Sequence, residues 1–265
     1  MDLITIDFET YYDKDFSLSK ITTEEYIRDN RFEVIGVGVK VNNNPTEWAS
    51  GGYDEIKQYL QQFDWANSML VAHNTMFDGA ILSWVFDICP RAYTDTVCIA
   101  RALHGVQVSA SLKAVAERYG VGVKGTEVQN AIGKKREDFR PDELDAYGDY
   151  CVNDVELTYK LFCIMCKGFP KKELKLIDTT LRMFIDPVLR IRSSLLDSHI
   201  TQIRSHKEEL INASGLTKDT LMSNDKFAQA LRDIGVEPPT KTSPTTGKET
   251  YAFAKTDKGF KDLFT

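Results

Sequence analysis

Leu3-Ile4-Thr5-Ile6-Asp7-Phe8-Glu9-Thr10 reads as a β-strand that starts almost at the N-terminus and turns acidic at its far end. Side chains alternate along a strand, so Asp7 and Glu9 project from the same face of whatever sheet it joins. Two carboxylates held side by side at the end of an apolar strand repel each other unless a cation neutralises them. Taken alone, the pair could equally be a solvated strand end.

Working outward, Phe32 to Val41 is a second strand, and Gly36 and Gly38 within it predict a bend or a close backbone approach. Asn42-Asn43-Asn44-Pro45 is a turn leading to a short strand at Thr46–Trp48, which completes an antiparallel meander. From there strands and helices alternate. Ile56–Phe63 is helical, Ser68–Ala72 a strand, Phe77–Phe86 helical, Ala92–Thr94 a strand and Thr96–Leu103 helical. Alternation of this kind adds strands in parallel. The expected fold is therefore α/β, a mixed five-stranded sheet flanked by helices in the RNase H-like arrangement.

Leu112–Tyr119 is a further helix, followed by a glycine-rich, basic loop from Gly120 to Arg140. Pro141, Asp142 and Glu143 open a long helix that runs to about Lys167, with proline and acids in the first turn. Gly168-Phe169-Pro170 ends it. Helical spacing then recurs over Leu174–Ile185, Leu195–Ile211 and Phe227–Ile234, and Glu237–Thr250 reads as a loop without core-forming residues. The reading gives two domains, residues 1–169 and a mainly helical extension over 170–265.

The chain has 265 residues, 42% hydrophobic and 27% charged, an ordinary globular composition that argues against wholesale disorder. Its net charge of −6 carries no general nucleic-acid signature. The average conceals an asymmetry: residues 1–170 hold 17 Lys and Arg against 26 Asp and Glu, residues 171–265 hold 16 against 13. Five cysteines without a signal peptide point to reduced thiols and a cytoplasmic setting, and the Cys163/Cys166 pair, inside an apolar helical run, is expected to pack in the core. No apolar run approaches the ~18 residues of a membrane span.

Two more acids stand where such a fold would bring them to the end of the first strand. Asp78 closes His73-Asn74-Thr75-Met76-Phe77-Asp78, between a strand and the first turn of a helix, a place where an acid also serves simply as a helix starter. Asp154 lies mid-helix, one turn after Tyr150 on the same face, in Tyr150-Cys151-Val152-Asn153-Asp154. Four carboxylates on one spot cannot all ionise without cations. Two divalent ions bound by hard oxygen ligands would resolve the conflict and suit phosphodiester cleavage.

Asp7–Thr10, His73–Asp78 and Tyr150–Asp154 resemble the three motifs of the DEDD 3′–5′ exonuclease superfamily, and more narrowly the proofreading domain of phage-type family A, DNA polymerase I-like enzymes. The likeness extends from Leu3 to about Phe169. It implies two Mg²⁺ or Mn²⁺ ions, with Asp7 bridging them, Glu9 and Asp154 completing the tighter site, and Asp78 holding the second largely through water. It implies that Tyr150 orients the attacking water. The histidine subclass would place His five residues before Asp154, and position 149 is Asp149, so this is the tyrosine type. Thr10, Asn74 and Phe77 fall where the family contacts the terminal nucleotides; His73 is adjacent, a candidate contact, though a lone histidine is more often structural; Asp95 is expected to start a helix. Where the polymerases carry a leucine wedge this chain has Asp13. Lys134-Lys135-Arg136 and Arg140 are candidates for attracting the phosphate backbone.

Leu181–Ile191 and Phe227–Lys241 are similar to the connection and lower thumb of a family A polymerase. The resemblance thus implies the N-terminal part of a longer replicative polymerase, whose polymerase domain would be the partner in cis, acting on single-stranded 3′ DNA ends in the cytoplasm of a bacterial host if phage-encoded. Two other readings stand beside it: a free-standing DEDD exonuclease for DNA or RNA 3′ ends, and a binding module that keeps the fold without the chemistry.

Overall fold

The computed structural model describes residues 1–125 and 131–264; residues 126–130, within the basic loop expected from Gly120 to Arg140, lie outside the described residues. β1 (Asp2–Thr10) is the middle strand of a five-stranded sheet. On one side it pairs antiparallel with β2 (Val34–Val41), which in turn pairs with β3 (Glu47–Ala49). On the other side it pairs in parallel with β4 (Ser68–Ala72), and β4 with β5 (Ala92–Asp95). This is the mixed, RNase H-like sheet that the pattern of alternation predicts.

The period of two along β1 divides the core between the two faces of the sheet. Ile4, Ile6 and Phe8 face a cluster built with Ile56 and Leu60 of α2 (Tyr53–Leu60), Ala80 to Leu82 of α3 (Thr75–Trp84), and Leu181 and Ile185 of α7 (Lys171–Ile185). Leu3 faces the other side, where α4 (Thr96–His104), α5 (Leu112–Tyr119) and the long α6 (Pro141–Met165) contribute Ile99, Val115, Leu157 and Leu161. Each fully buried aliphatic or aromatic side chain of this kind contributes roughly 1.5–3 kcal/mol. Cys163 and Cys166 pack against this second cluster, and no cysteine is in a disulfide. The short α1 (Thr23–Arg28) has no counterpart in the hydrophobic pattern; a capping box between Thr22 and Glu25 starts it.

The two glycines of β2 are where side chains from other elements come close. A Cβ on Gly38 would stand 2.9 Å from Val155 Cγ2 and 3.0 Å from Cys151 Sγ, so the missing side chain lets α6 lie directly on β2. A Cβ on Gly36 would meet Trp48 of β3 at 2.2 Å, and one on Gly148 of α6 would meet the same indole at 2.6 Å. Trp48 thereby fills space that both glycines vacate.

The first compact unit runs from Met1 to Leu189, beyond the boundary expected at residue 169. The reason is α7. The Asp178 carboxylate accepts the Tyr93 N–H of the edge strand β5 at 2.8 Å, and the Ile185 carbonyl accepts the Trp84 indole N–H of α3 at 2.7 Å. An edge strand left bare is a liability, and this helix covers it. Amphipathic spacing announces the helix but not the surface it packs on.

The second unit, Arg190–Thr265, contains α8 (Ser193–Ala213), α9 (Lys218–Met222), α10 (Asn224–Asp233), β6 (Thr240–Thr242), β7 (Glu249–Tyr251) and α11 (Lys258–Lys261). β6 and β7 form an antiparallel hairpin that occupies most of the stretch expected to be a loop and runs one residue past it, to Tyr251. Its apolar support comes from outside that stretch: Tyr251 stacks on Phe253 at 5.3 Å, and Phe253 meets Phe227 edge-on at 5.0 Å. Among the described residues no helix is long and apolar enough to cross a membrane.

Candidate active site

Pairing of β1 with β4 stops at Thr5 and Val71, so the acidic end of β1 extends past its parallel neighbour. The Phe8 N–H, left there without a strand partner, donates to Asp78 Oδ1 at 3.0 Å. That bond ties α3, which begins right after β4, to the end of β1 and buries the Asp78 carboxylate to 2% exposure. Across the opposite face runs α6, whose Tyr147, Tyr150, Cys151 and Asp154 are spaced along one side and all buried. The Tyr147 hydroxyl donates to Glu9, and the Cys151 thiol donates to the Asp7 carbonyl at 3.3 Å while standing 3.9 Å from Asp7 Oδ2. Ligand atoms of Asp7, Glu9 and Cys151 lie within 4.8 Å of one another.

Glu9 and Asp154 are only 8% and 3% exposed, and Asp7 is half-buried. Burial lifts the Asp7 carboxyl well above the ordinary carboxylate range, and the charges of Glu9, Asp78 and Asp154 lift it further. Burial pushes Glu9 up to about 7, against the hydrogen bond from Tyr147. Asp78 also rises to about 7, chiefly through burial, although the Phe8 N–H opposes the shift. Tyr150 is raised by burial and by the neighbouring carboxylates, so it stays a neutral phenol. Lys124, on the stretch after α5, donates to Asp154 and lies over the Tyr150 ring, 4.8 Å from its centroid.

The arrangement concentrates hard oxygen donors that hold unneutralised charge poorly, which is the donor set that suits Mg²⁺ or Mn²⁺. Residues 19–168 match the profile of the family described as 3′–5′ exonuclease, more than half of the chain. The chain belongs to the 3′–5′ exonuclease family. No curated protein matches its sequence. Among solved structures, RNase D of Trypanosoma brucei is similar with a TM-score of 0.55 at 15% identity, over 71% of this chain and 67% of that one. NrnC of Brucella melitensis gives 0.51 at 13% identity, over 70% and 82% respectively. At such identities the likeness shows the fold.

The other residues picked out in the exonuclease sequence divide sharply. Asn74 takes the left-handed conformation at φ 85°, is exposed at the start of α3, and donates its N–H to Asp95 Oδ1 at 3.2 Å. Phe77 is half-buried, tilted against Tyr26 with ring centroids 5.9 Å apart. Thr10 is buried and its hydroxyl bonds the Tyr26 hydroxyl at 2.9 Å. His73, adjacent to these residues, takes the structural role that a lone histidine more often has. Its Nε2 lies 2.9 Å from the Ala110 carbonyl and its Nδ1 2.8 Å from Thr96 Oγ1. Burial lowers it to about 4, so the ring is neutral and both nitrogens are engaged within the protein. Asp95 caps α4 by accepting the Val97 N–H at 2.7 Å, the helix-start role expected of it.

Asp13 is a turn residue. Its carboxylate accepts the backbone N–H groups of Asp15 at 2.8 Å and Phe16 at 2.6 Å and the Tyr11 hydroxyl at 2.8 Å. These bonds fold the chain back after β1 and seat Phe16 in the core, stacked on Tyr26 at 4.5 Å. A leucine at this position would lose all three.

Tyr147, Cys151 and Lys124 were not singled out from the sequence. Tyr147 was detectable, standing seven residues before Asp154 and therefore two turns away on the same face. Because its hydroxyl orients the buried Glu9 carboxylate, Tyr147→Phe is expected, if Glu9 binds a cation, to weaken Mn²⁺ binding about 10–100-fold, the usual effect of losing a partner that orients a metal ligand. Calorimetric titration of the variant checks this, and an unchanged affinity would show Glu9 to be held by other means.

Proposed function

We propose that this chain is a metal-dependent exonuclease that removes nucleoside monophosphates from single-stranded 3′ DNA ends, using two divalent cations held by Asp7, Glu9, Asp78 and Asp154. The observation that carries the reading is the convergence of these four acids, from β1, α3 and α6, at the end of β1, with Tyr150 beside them. When bound, the cations would supply the positive charge that stabilises the attacking and leaving oxygens. Asp7, Glu9 and Asp154 would hold one cation, and Asp78, whose carboxylate accepts the Phe8 N–H, would hold the other. Tyr150, neutral and buried, serves as a hydrogen-bond donor or acceptor that orients a water, not as a base. Asn74, Phe77 and Thr10 are proposed to contact the terminal nucleotides, Asn74 with its exposed amide and Phe77 by stacking.

The similarity of Leu181–Ile191 and Phe227–Lys241 to a polymerase connection and thumb supports a proofreading role within a family A DNA polymerase. An exonuclease acting by itself on RNA or DNA 3′ ends is a second reading, favoured by the fold: NrnC has been seen with bound Mg²⁺ and with pGG, and RNase D of T. brucei with the RNA U12. Comparing kcat/KM on matched DNA and RNA 3′ ends tests the proofreading reading, since contacts at the 2′ position decide between the sugars and a preference for RNA would count against it. Titration with Mn²⁺ tests the site itself. Two ions per chain are expected in the native protein, and uptake unchanged by Asp7→Ala with Glu9→Ala would refute the assignment.

A further inference from the structure

Lys124 does not belong to any of the three acidic motifs, yet its ammonium sits among their carboxylates. Nζ donates to Asp154 Oδ2, and the same nitrogen lies over the face of Tyr150, the residue one helical turn before Asp154. The two partners differ in exposure. The Asp154 side chain is 4% exposed, whereas that of Lys124 is 26% exposed and stands on a stretch outside any helix or strand. The lysine charge also reaches Asp7 and Glu9, where it opposes the upward shift that burial imposes. Removing the cationic partner of a buried carboxylate is unfavourable, so the lysine stabilises Asp154 as long as no other cation is there. A lysine on a flexible stem can move away from it without disturbing the core.

We propose that Lys124 is a built-in counter-ion that holds Asp154 until a divalent cation displaces it. The proposal rests on the reading of Asp154 as a cation ligand. The ammonium and the incoming cation then compete for one carboxylate oxygen, so the lysine stabilises the metal-free protein and lowers its affinity for the metal. Lys124 is thus a positioning residue whose effect is on cation uptake, distinct from the carboxylates that bind.

Mn²⁺ titrated calorimetrically into the native protein, Lys124→Met and Lys124→Arg tests this at one pH and salt concentration. Lys124→Met should bind Mn²⁺ about tenfold more tightly, the lower end of the range over which partners of metal ligands change affinity. Its metal-free melting temperature should fall and its Mn²⁺-induced rise in melting temperature should exceed that of the native chain. Lys124→Arg, which keeps the charge, should stay within about twofold of the native affinity. Because the side chain is partly exposed, truncation leaves no core cavity, and Lys124→Gln provides a second neutral variant. Equal or weaker binding by both neutral variants, with the native protein taking up Mn²⁺ normally, would overturn the counter-ion role alone. No uptake by the native protein would overturn this role together with the cation site on which it depends.

Discussion

Asp7→Asn is expected to lower the rate of nucleotide release by at least about a thousandfold, roughly 4 kcal/mol of transition-state stabilisation at about 1.4 kcal/mol per factor of ten. The size follows from position. Asp7 is the acid whose carboxyl feels Glu9, Asp78 and Asp154 together, so it is the one carboxylate common to the whole cluster. Asn keeps the shape and removes the charge, which in the proposed site would take away the ligand shared by both cations. Tyr150→Phe should lose less, about 10–100-fold, because the role proposed for its neutral phenol is to orient a water and not to carry charge. Single-turnover rates with saturating Mg²⁺ measure both variants. A Tyr150→Phe loss equal to that of Asp7→Asn would give the phenol a larger role than orientation.

The same cluster should make the metal-free protein less stable as pH rises. Glu9 ionises near 7 in the folded chain, against an ordinary value of 4.5. Between those values the folded state holds a proton that the unfolded state has released, so stability falls as pH climbs through this window. Glu9→Gln removes the effect while keeping an oxygen to accept the Tyr147 hydroxyl. The stability of the variant relative to the native chain, both free of metal, is expected to rise by about 2–3 kcal/mol between pH 5 and pH 8. That corresponds to roughly 5–10 °C in melting temperature for a unit of this size. The comparison with the variant matters because His73, lowered to about 4, contributes a slope of the opposite sign below about 6.5. Added Mg²⁺ should stabilise the native protein at pH 8 far more than Glu9→Gln. A difference independent of pH would mean that Glu9 is not held in its buried, uncompensated state.

These expectations draw on features that differ in how plainly the amino-acid order displays them. The five strands and their mixed sense were legible because Ile4, Ile6 and Phe8 alternate with polar residues and because strand and helix alternate after Trp48. Asp7, Glu9, Asp78, Tyr150 and Asp154 were legible because each lies on a regular element whose period tells which face it occupies. The choice between a structural and a nucleotide-contacting His73 was not legible, because its ring nitrogens are engaged by Thr96 and the Ala110 carbonyl, partners 23 and 37 residues away that no local pattern displays. Lys124 and the Asp13 turn are likewise matters of loop geometry, where no periodicity exists to read. The extent of the first unit depended on what α7 covers, a tertiary fact that its amphipathic spacing leaves open.

The central claim is that the acids at the end of β1 form a cation-dependent site that shortens nucleic acid from its 3′ end. A 5′-labelled single-stranded oligonucleotide incubated with the native chain tests it most directly, with Mg²⁺ in one arm and EDTA in the other. With Mg²⁺ a ladder that shortens by one nucleotide at a time is expected, with nucleoside monophosphates released, and with EDTA intact substrate. Equal degradation in EDTA, or immediate loss of the label as a 5′-terminal mononucleotide, would contradict it.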